Sequence, residues 1–375
     1  MTYLQEMEKF LEVMGDDLKM PSYFTDEFLD IGHENEKSKK VGIIGDSFYS
    51  LYVRAYGLTP VLLPSGSYIS GEYAEMFPQI SDPIAKASIG LLLDPENNFK
   101  EELDAVIIVA KNDSYKKSIA YLRDMNLAVI QVEPLPFLHE KLSFSFYKQQ
   151  AMVLNDISKL VFGIFNEATF NKELKEYTRA YEIMEEDSFK TLSTMHQTFF
   201  KHVLHVANNK SDWCDELEEF LEDIEVKTFL PKVTLMGSSM HLPNYKVFQI
   251  FNDIGITHFN NECSDFPNFS EIDTNGGGLF KKALAFHHKE TFNSATVSNI
   301  DRMELPTDTG GIVYYLLKGQ TSSAYHAERI EELAIEQGVP FICVETDYTY
   351  TDSEQMKIRI EAFYEMLKSS SKQKA

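Results

Sequence analysis

The chain repeats itself, and the repeat limits what it can fold into. Val41-Gly42-Ile43-Ile44-Gly45-Asp46-Ser47 is echoed by Val233-Thr234-Leu235-Met236-Gly237-Ser238-Ser239. Ala55-Tyr56-Gly57-Leu58-Thr59 is echoed by Asp253-Ile254-Gly255-Ile256-Thr257, and Val129-Ile130-Gln131-Val132-Glu133 by Phe341-Ile342-Cys343-Val344-Glu345. Three matches in the same order imply two copies of one fold. Each copy opens on a short apolar run that ends in glycine and small polar residues, the pattern of a buried strand entering a strand-end turn.

The elements between the matches agree with this. In the first copy, strands at 41–44, 61–63, 105–109 and 128–132 alternate with helices at 48–56, 83–92 and 114–125. In the second, a strand at 312–317 feeds the polar turn Gln320-Thr321-Ser322-Ser323. A helix from about Tyr325 to Gln337 follows, Gly338 and Pro340 stop it, and a strand runs 341–344. Alternation of this kind predicts an α/β chain with two flavodoxin- or Rossmann-like parallel-sheet domains. Helical additions lie between them and at both ends. The expected division is an N-terminal helical segment 1–40, a first α/β domain 41–144, a helical block 145–230 and a second α/β domain 231–375 with a C-terminal helix. The block is read as three helices, the last at 212–224, packing across both α/β layers. Ligands in open α/β sheets collect at the carboxyl ends of the strands. Gly45 to Phe48, Gly237 to Ser239 and Gln320 to Ser323 are therefore expected to face a common cleft.

Charge narrows the partners. A net charge of -23 argues against nucleic acid and against an anionic membrane surface. No run of ~20 apolar residues suggests a span, and the acidic, amphipathic start lacks the pattern of a signal peptide. The three cysteines, Cys214, Cys263 and Cys343, show no paired spacing. The expectation is a cytoplasmic protein without disulfides.

Each motif has a chemical and a plain reading. Gly45-Asp46-Ser47 either offers N–H groups to an anion such as a phosphate or thioester, or caps the helix it opens. Gly237-Ser238-Ser239 carries the same two readings, and neither completes a dinucleotide or P-loop fingerprint. His202 and His205, with His196 before them, have zinc-like spacing on a helix but lack the rest of a ligand set, so packing or surface roles are expected. His258 and the pair His287-His288 are weaker candidates of the same kind. Asn275 to Gly278 reads as a flexible loop. Cys263 reads as a small apolar residue or a reactive thiol, and Cys343 as inert core. The acidic run Asp215 to Asp223 reads as a solvated helix face. The 27 Phe and 19 Tyr read mainly as core packing.

The C-terminal end carries a resemblance. Gly338-Val339-Pro340, then Val344-Glu345-Thr346-Asp347, then Gln355 to Met366 with Arg359-Ile360 and Ala362-Phe363 inside it, is similar to the end of the 2-hydroxyacyl-CoA dehydratase and benzoyl-CoA reductase subunit family. Ala55 to Val61 resembles the family's Ala-Ala-Gly-x-x-Pro-Val segment. The resemblance covers about residues 40 to 370. It implies flavodoxin-like domains, a heterodimer of related subunits, and a [4Fe–4S] cluster held by three cysteines from three turns. It also implies an ATP-hydrolysing activator that supplies one electron for dehydration of an acyl-CoA. Carried over position by position, the three cysteines fall near Phe48, Asp82 and Gln320. All three thiolates are missing, and no cluster or metal is expected in this chain.

Two readings of function follow. In the first, the chain is a cluster-less subunit of a 2-hydroxyacyl-CoA dehydratase-type lyase complex. It binds acyl-CoA or completes the cleft of a cluster-bearing partner, with Gly45, Phe48, Gly237, Ser238, Ser239 and Gln320 lining that cleft. In the second, it is a stand-alone non-redox enzyme or small-molecule binder using Asp46, Ser47, Asp82, Thr321 and Ser322, or else a purely structural homologue whose cleft is filled by side chains such as Phe48.

Overall fold

The computed structural model describes residues 2–15, 18–30, 38–63, 66–74, 77–78, 80–133, 143–161, 163–229, 232–263, 266, 269, 278–279, 281–283, 305 and 309–373. Its strands form two four-stranded sheets. The first comprises β1 (Lys40–Ile44), β2 (Thr59–Leu62), β3 (Ala105–Val109) and β4 (Val129–Val132) in the order β2-β1-β3-β4. The second comprises β5 (Thr234–Gly237), β6 (Asn260–Asn261), β7 (Ile312–Leu317) and β8 (Phe341–Thr346) in the order β6-β5-β7-β8. Every pairing is parallel.

The two orders are the same order, which is the duplication predicted from the repeat. Corresponding glycines share a backbone conformation. Gly45 and Gly237, at the ends of β1 and β5, have φ of +106° and +115°. A side chain at Gly237 would also run into the Tyr315 carbonyl on β7, so glycine is dictated there twice over. The central strands β1 and β3 are almost wholly buried and read as continuous apolar runs, as strands covered on both faces must.

In the first half, α3 (Tyr49–Ala55), α4 (Pro83–Leu93), α5 (Phe99–Glu102) and α6 (Asp113–Asp124) surround the sheet. Ahead of it lie α1 (Tyr3–Met14) and α2 (Ser22–Leu29). The middle block holds α7 (Ser143–Val161), α8 (Glu167–Met184), α9 (Asp187–Lys190), α10 (Thr194–Val206) and α11 (Lys210–Glu222). That is five helices where periodicity predicts three. The breaks at Asn166 and Ser193 are made by N-caps whose side chains accept from backbone N–H groups, a signal that periodicity does not carry. The second half adds α12 (Lys246–Asp253), α13 (Thr321–Gln337) and α14 (Ser353–Gln373). Thr321 and Ser322 therefore stand in the first turn of α13, not in the turn before it.

One helix of the block is fastened to both layers. At its start, Thr194 Oγ1 donates to the Phe259 carbonyl (2.9 Å) and accepts from the Phe259 N–H (2.9 Å), beside β6. Near its end, His205 Nδ1 lies 2.8 Å from Ser47 Oγ, just past β1. One core runs from α1 through both sheets, with Phe10, Phe24, Phe28, Phe199, Phe200 and Trp213 fully enclosed in it, and a smaller second cluster joins Met236, Ile312 and Tyr314 of the second sheet to Ile330 and Ala334 of α13.

Candidate functional site

The strand-end turns of the two halves meet. Asp82 is the N-cap of α4, with Pro83 in the first helical position, where a missing N–H costs nothing. Its Oδ1 accepts from the Ile84 and Ala85 N–H groups at 2.8 and 3.2 Å. Its Oδ2 accepts from Asn112 Nδ2 at 2.6 Å, and Asn112 in turn caps α6 through its own Oδ1. From the other half, Gln320 Nε2 donates to Asp82 Oδ1 at 3.3 Å, while Gln320 Oε1 accepts from Ser323 Oγ at 3.2 Å. Asn112, Asp82, Gln320 and Ser323 thus form a polar chain joining three helix N-termini across the layers. Gly319 lets the turns approach. Its φ is +93°, and a Cβ there would lie 2.8 Å from the Ser81 carbonyl oxygen.

The other sequence candidates take varied places. Asp46 Oδ1 accepts from the Phe48 N–H at 2.8 Å, so this carboxylate holds its own turn. Phe48 is 1% exposed and points into an aromatic cluster, 5.3 Å from Tyr52, 5.8 Å from Tyr49 and 6.4 Å from Phe170 between ring centres. Ser238 is buried, and its hydroxyl accepts from the Leu317 N–H at 2.8 Å, fixing the end of β5 to β7. Ser239 lines a small cavity with His241, Asn244, Tyr315 and Tyr348, with room for about one water. Thr321 and Ser322 face solvent. The turns carrying Asp82 and Gln320 are joined directly, whereas Ser47 is tied to α10 and Phe48 lies in the core.

The histidines lie deep. His205 bridges Ser47 Oγ (2.8 Å) and Tyr181 OH (3.5 Å) and stacks flat on Phe266 at 4.3 Å. Burial, and then the neighbouring Lys201, Lys210 and His202, hold its imidazole well below the usual histidine range, so it is neutral. His202 is packed between Phe28 and Phe266, and burial lowers it to about 3. Lys210 donates to the Ala207 and His205 carbonyls beneath Tyr177, and burial brings it down to about 7. His196 bonds Ser193 at 2.6 Å, and His258 stacks on Phe229. Among the described residues no group of His, Cys, Asp or Glu is arranged to hold a metal ion. Cys214 and Cys263 are buried, and Cys343 is half-buried. Residues 275–277 and His287-His288 lie outside the described residues.

Two contributors were not singled out from the sequence. Asn112 follows β3 just as Gln320 follows β7, so extending the repeat to that turn would have found it. Lys246 has no such signal. Its ammonium is fully enclosed, and its three N–H groups are shared among four oxygens: Thr346 Oγ1 (2.6 Å), the Thr349 carbonyl (2.8 Å), the Asp347 carbonyl (2.9 Å) and Asp352 Oδ1. It thereby organises the Glu345-Thr346-Asp347 segment that carries the sequence resemblance.

Among the described residues no helix is long and apolar enough to cross a membrane. The search of curated proteins finds no match. A family model does match, over residues 52–367, which takes in β2 to β4 of the first sheet, the helical block and the whole second sheet. The chain belongs to the family described as 2-hydroxyglutaryl-CoA dehydratase, D-component.

Proposed function

We propose that this chain is a cluster-less subunit of a 2-hydroxyacyl-CoA dehydratase-type complex, completing the cleft of a related subunit that carries the cluster and the chemistry. The observation that carries the reading is the bond between Asp82 and Gln320. These are two of the three positions where the family resemblance expects cysteine. Iron–sulfur clusters are held by thiolates. Here the donor set is a phenyl ring turned into the core, a carboxylate already accepting four hydrogen bonds, and an amide bonded at both ends. These residues do not fit a cluster. Three helix N-termini pinned together instead make a preformed wall at the strand ends, suited to holding part of an acyl-CoA in place.

Anaerobic reconstitution with iron and sulfide tests the first half of the reading, and only trace iron is expected. About four irons per chain would overturn it, that being the stoichiometry of the family's cluster type. Co-expression with a paralogue that retains three turn cysteines tests the second half. A stable heterodimer is expected, and a chain that stays apart from every such paralogue overturns the subunit role.

A further inference from the structure

The family match begins at residue 52, so α1 lies outside it. Yet α1 is not peripheral. It is closed at its start by a capping box between Thr2 and Gln5, and it buries Tyr3, Glu6, Met7, Phe10 and Met14. Phe10 anchors its second half, 5.6 Å from Phe28 and 6.0 Å from both Phe199 and Tyr245. The first half carries Glu6, whose residue is 4% exposed. Glu6 reaches the seam between the two layers. On one side is the segment after β2, where Ser67 donates to Glu6 Oε2. On the other is the segment after β8, where Tyr350 packs 5.1 Å from Tyr68.

The environment suits an acid better than an anion. The facing groups are Tyr3 and the terminal amine on α1's own segment, Ser67 and Tyr68 after β2, and Tyr348 and Tyr350 after β8. None of these side chains is cationic, and the one cation acting on Glu6, the amino terminus, is the weakest of its influences. Glu6 Oε1 is buried with no hydrogen-bond partner, and so is the Tyr3 hydroxyl one turn earlier. Ionisation would place a charge on a carboxylate with one oxygen unsatisfied in the interior.

We propose that the first half of α1 is a proton-linked seal over this seam, docked when Glu6 is the neutral acid and loosened when it ionises. Burial raises the Glu6 carboxyl to about 7, with hydrogen bonds from Ser67 and the Ile69 and Tyr68 backbone opposing the rise. The sign follows from linkage. A carboxyl raised on docking binds its proton more tightly docked than free. Docking is strongest below the free value of about 4.5, weakens as pH climbs towards about 7, and is level above that. Phe10 holds the other half throughout.

Amide hydrogen exchange of the whole chain reads this directly. The relevant amides are Glu6 to Phe10, which bond back to the carbonyls of Thr2 to Glu6. Corrected for intrinsic rates, their protection is expected to fall by up to about 70-fold between pH 5 and pH 8, most of the interval between the free and docked values. E6Q should keep protection level across that range, and Y3F, which retains the carboxyl, should keep the pH dependence. Level protection in the native chain overturns the proposal. So does a parallel loss in E6Q, which would place the titrating group elsewhere.

Discussion

Replacing Lys246 by methionine tests how the second sheet holds its C-terminal edge. Methionine keeps most of the apolar stem and deletes the ammonium, so packing loss is small and the change is electrostatic. Four oxygens lose their donor. Asp352 keeps the Asp347 N–H (3.1 Å) and the Thr346 hydroxyl (2.9 Å) but loses its counter-charge, with its side chain 19% exposed. Breaking a buried pair from one side costs about 3–5 kcal/mol. For a chain of 375 residues melting as one body that lowers the transition by roughly 4–6 °C. D352N should cost less, because an amide oxygen still accepts from Lys246. Burial raises the Asp352 carboxyl, but bonds from Lys246, Asp347 and Thr346 outweigh that and leave it below its usual value. Its contribution is thus present above the unfolded carboxylate range and is lost as pH falls through the lowered value. K246M should reduce that acid-side loss, since only the Asp347 N–H and the Thr346 hydroxyl then hold the carboxyl down. Differential scanning calorimetry, with exchange mapped on β8 and α14, measures all of this. A K246M shift under about 3 °C, or a D352N loss larger than that of K246M, refutes the reasoning.

Three further outcomes are expected. G237A should destabilise by at least about 2 kcal/mol, since it combines positive φ with a backbone collision, whereas G57A, at φ +74° in open space, should cost about 1 kcal/mol by denaturant titration. D82A should lose about 1–2 kcal/mol as a lost helix cap and more from orphaning Asn112, while Q320A should lose under about 1 kcal/mol, both read by thermal melting. S47A should cost about 1–3 kcal/mol by stranding the buried His205 ring nitrogen, with exchange rising at the end of α10.

The strands were the most legible part of the chain. β3 and β7 begin and end where their apolar runs do, because a strand buried on both faces has no other pattern to show. Duplication was legible from small residues at turns, where backbone conformation and close approach leave glycine little competition. The start of α13 was not, since Thr321-Ser322-Ser323 has turn composition and only Gln320's ties to Asp82 and Ser323 reveal where the helix begins. The meeting of Asp82 with Gln320, 238 positions apart, left no local trace. The same holds for Lys246 and Asp352, whose pairing depends on how α12 lies against the β8 edge. The few, widely spaced cysteines were countable in advance, whereas the hydrogen-bonded bridge between Asp82 and Gln320 required the three-dimensional arrangement.

The helix Thr194–Val206, pinned beside β6 at one end and beside β1 at the other, fixes how the halves can move. Its 13 residues make a strut about 20 Å long. A strut of set length lets its two attachments swivel but not separate. The segment beside β6 and the turn after β1 therefore cannot part without breaking one of these bonds, whatever else in the molecule moves.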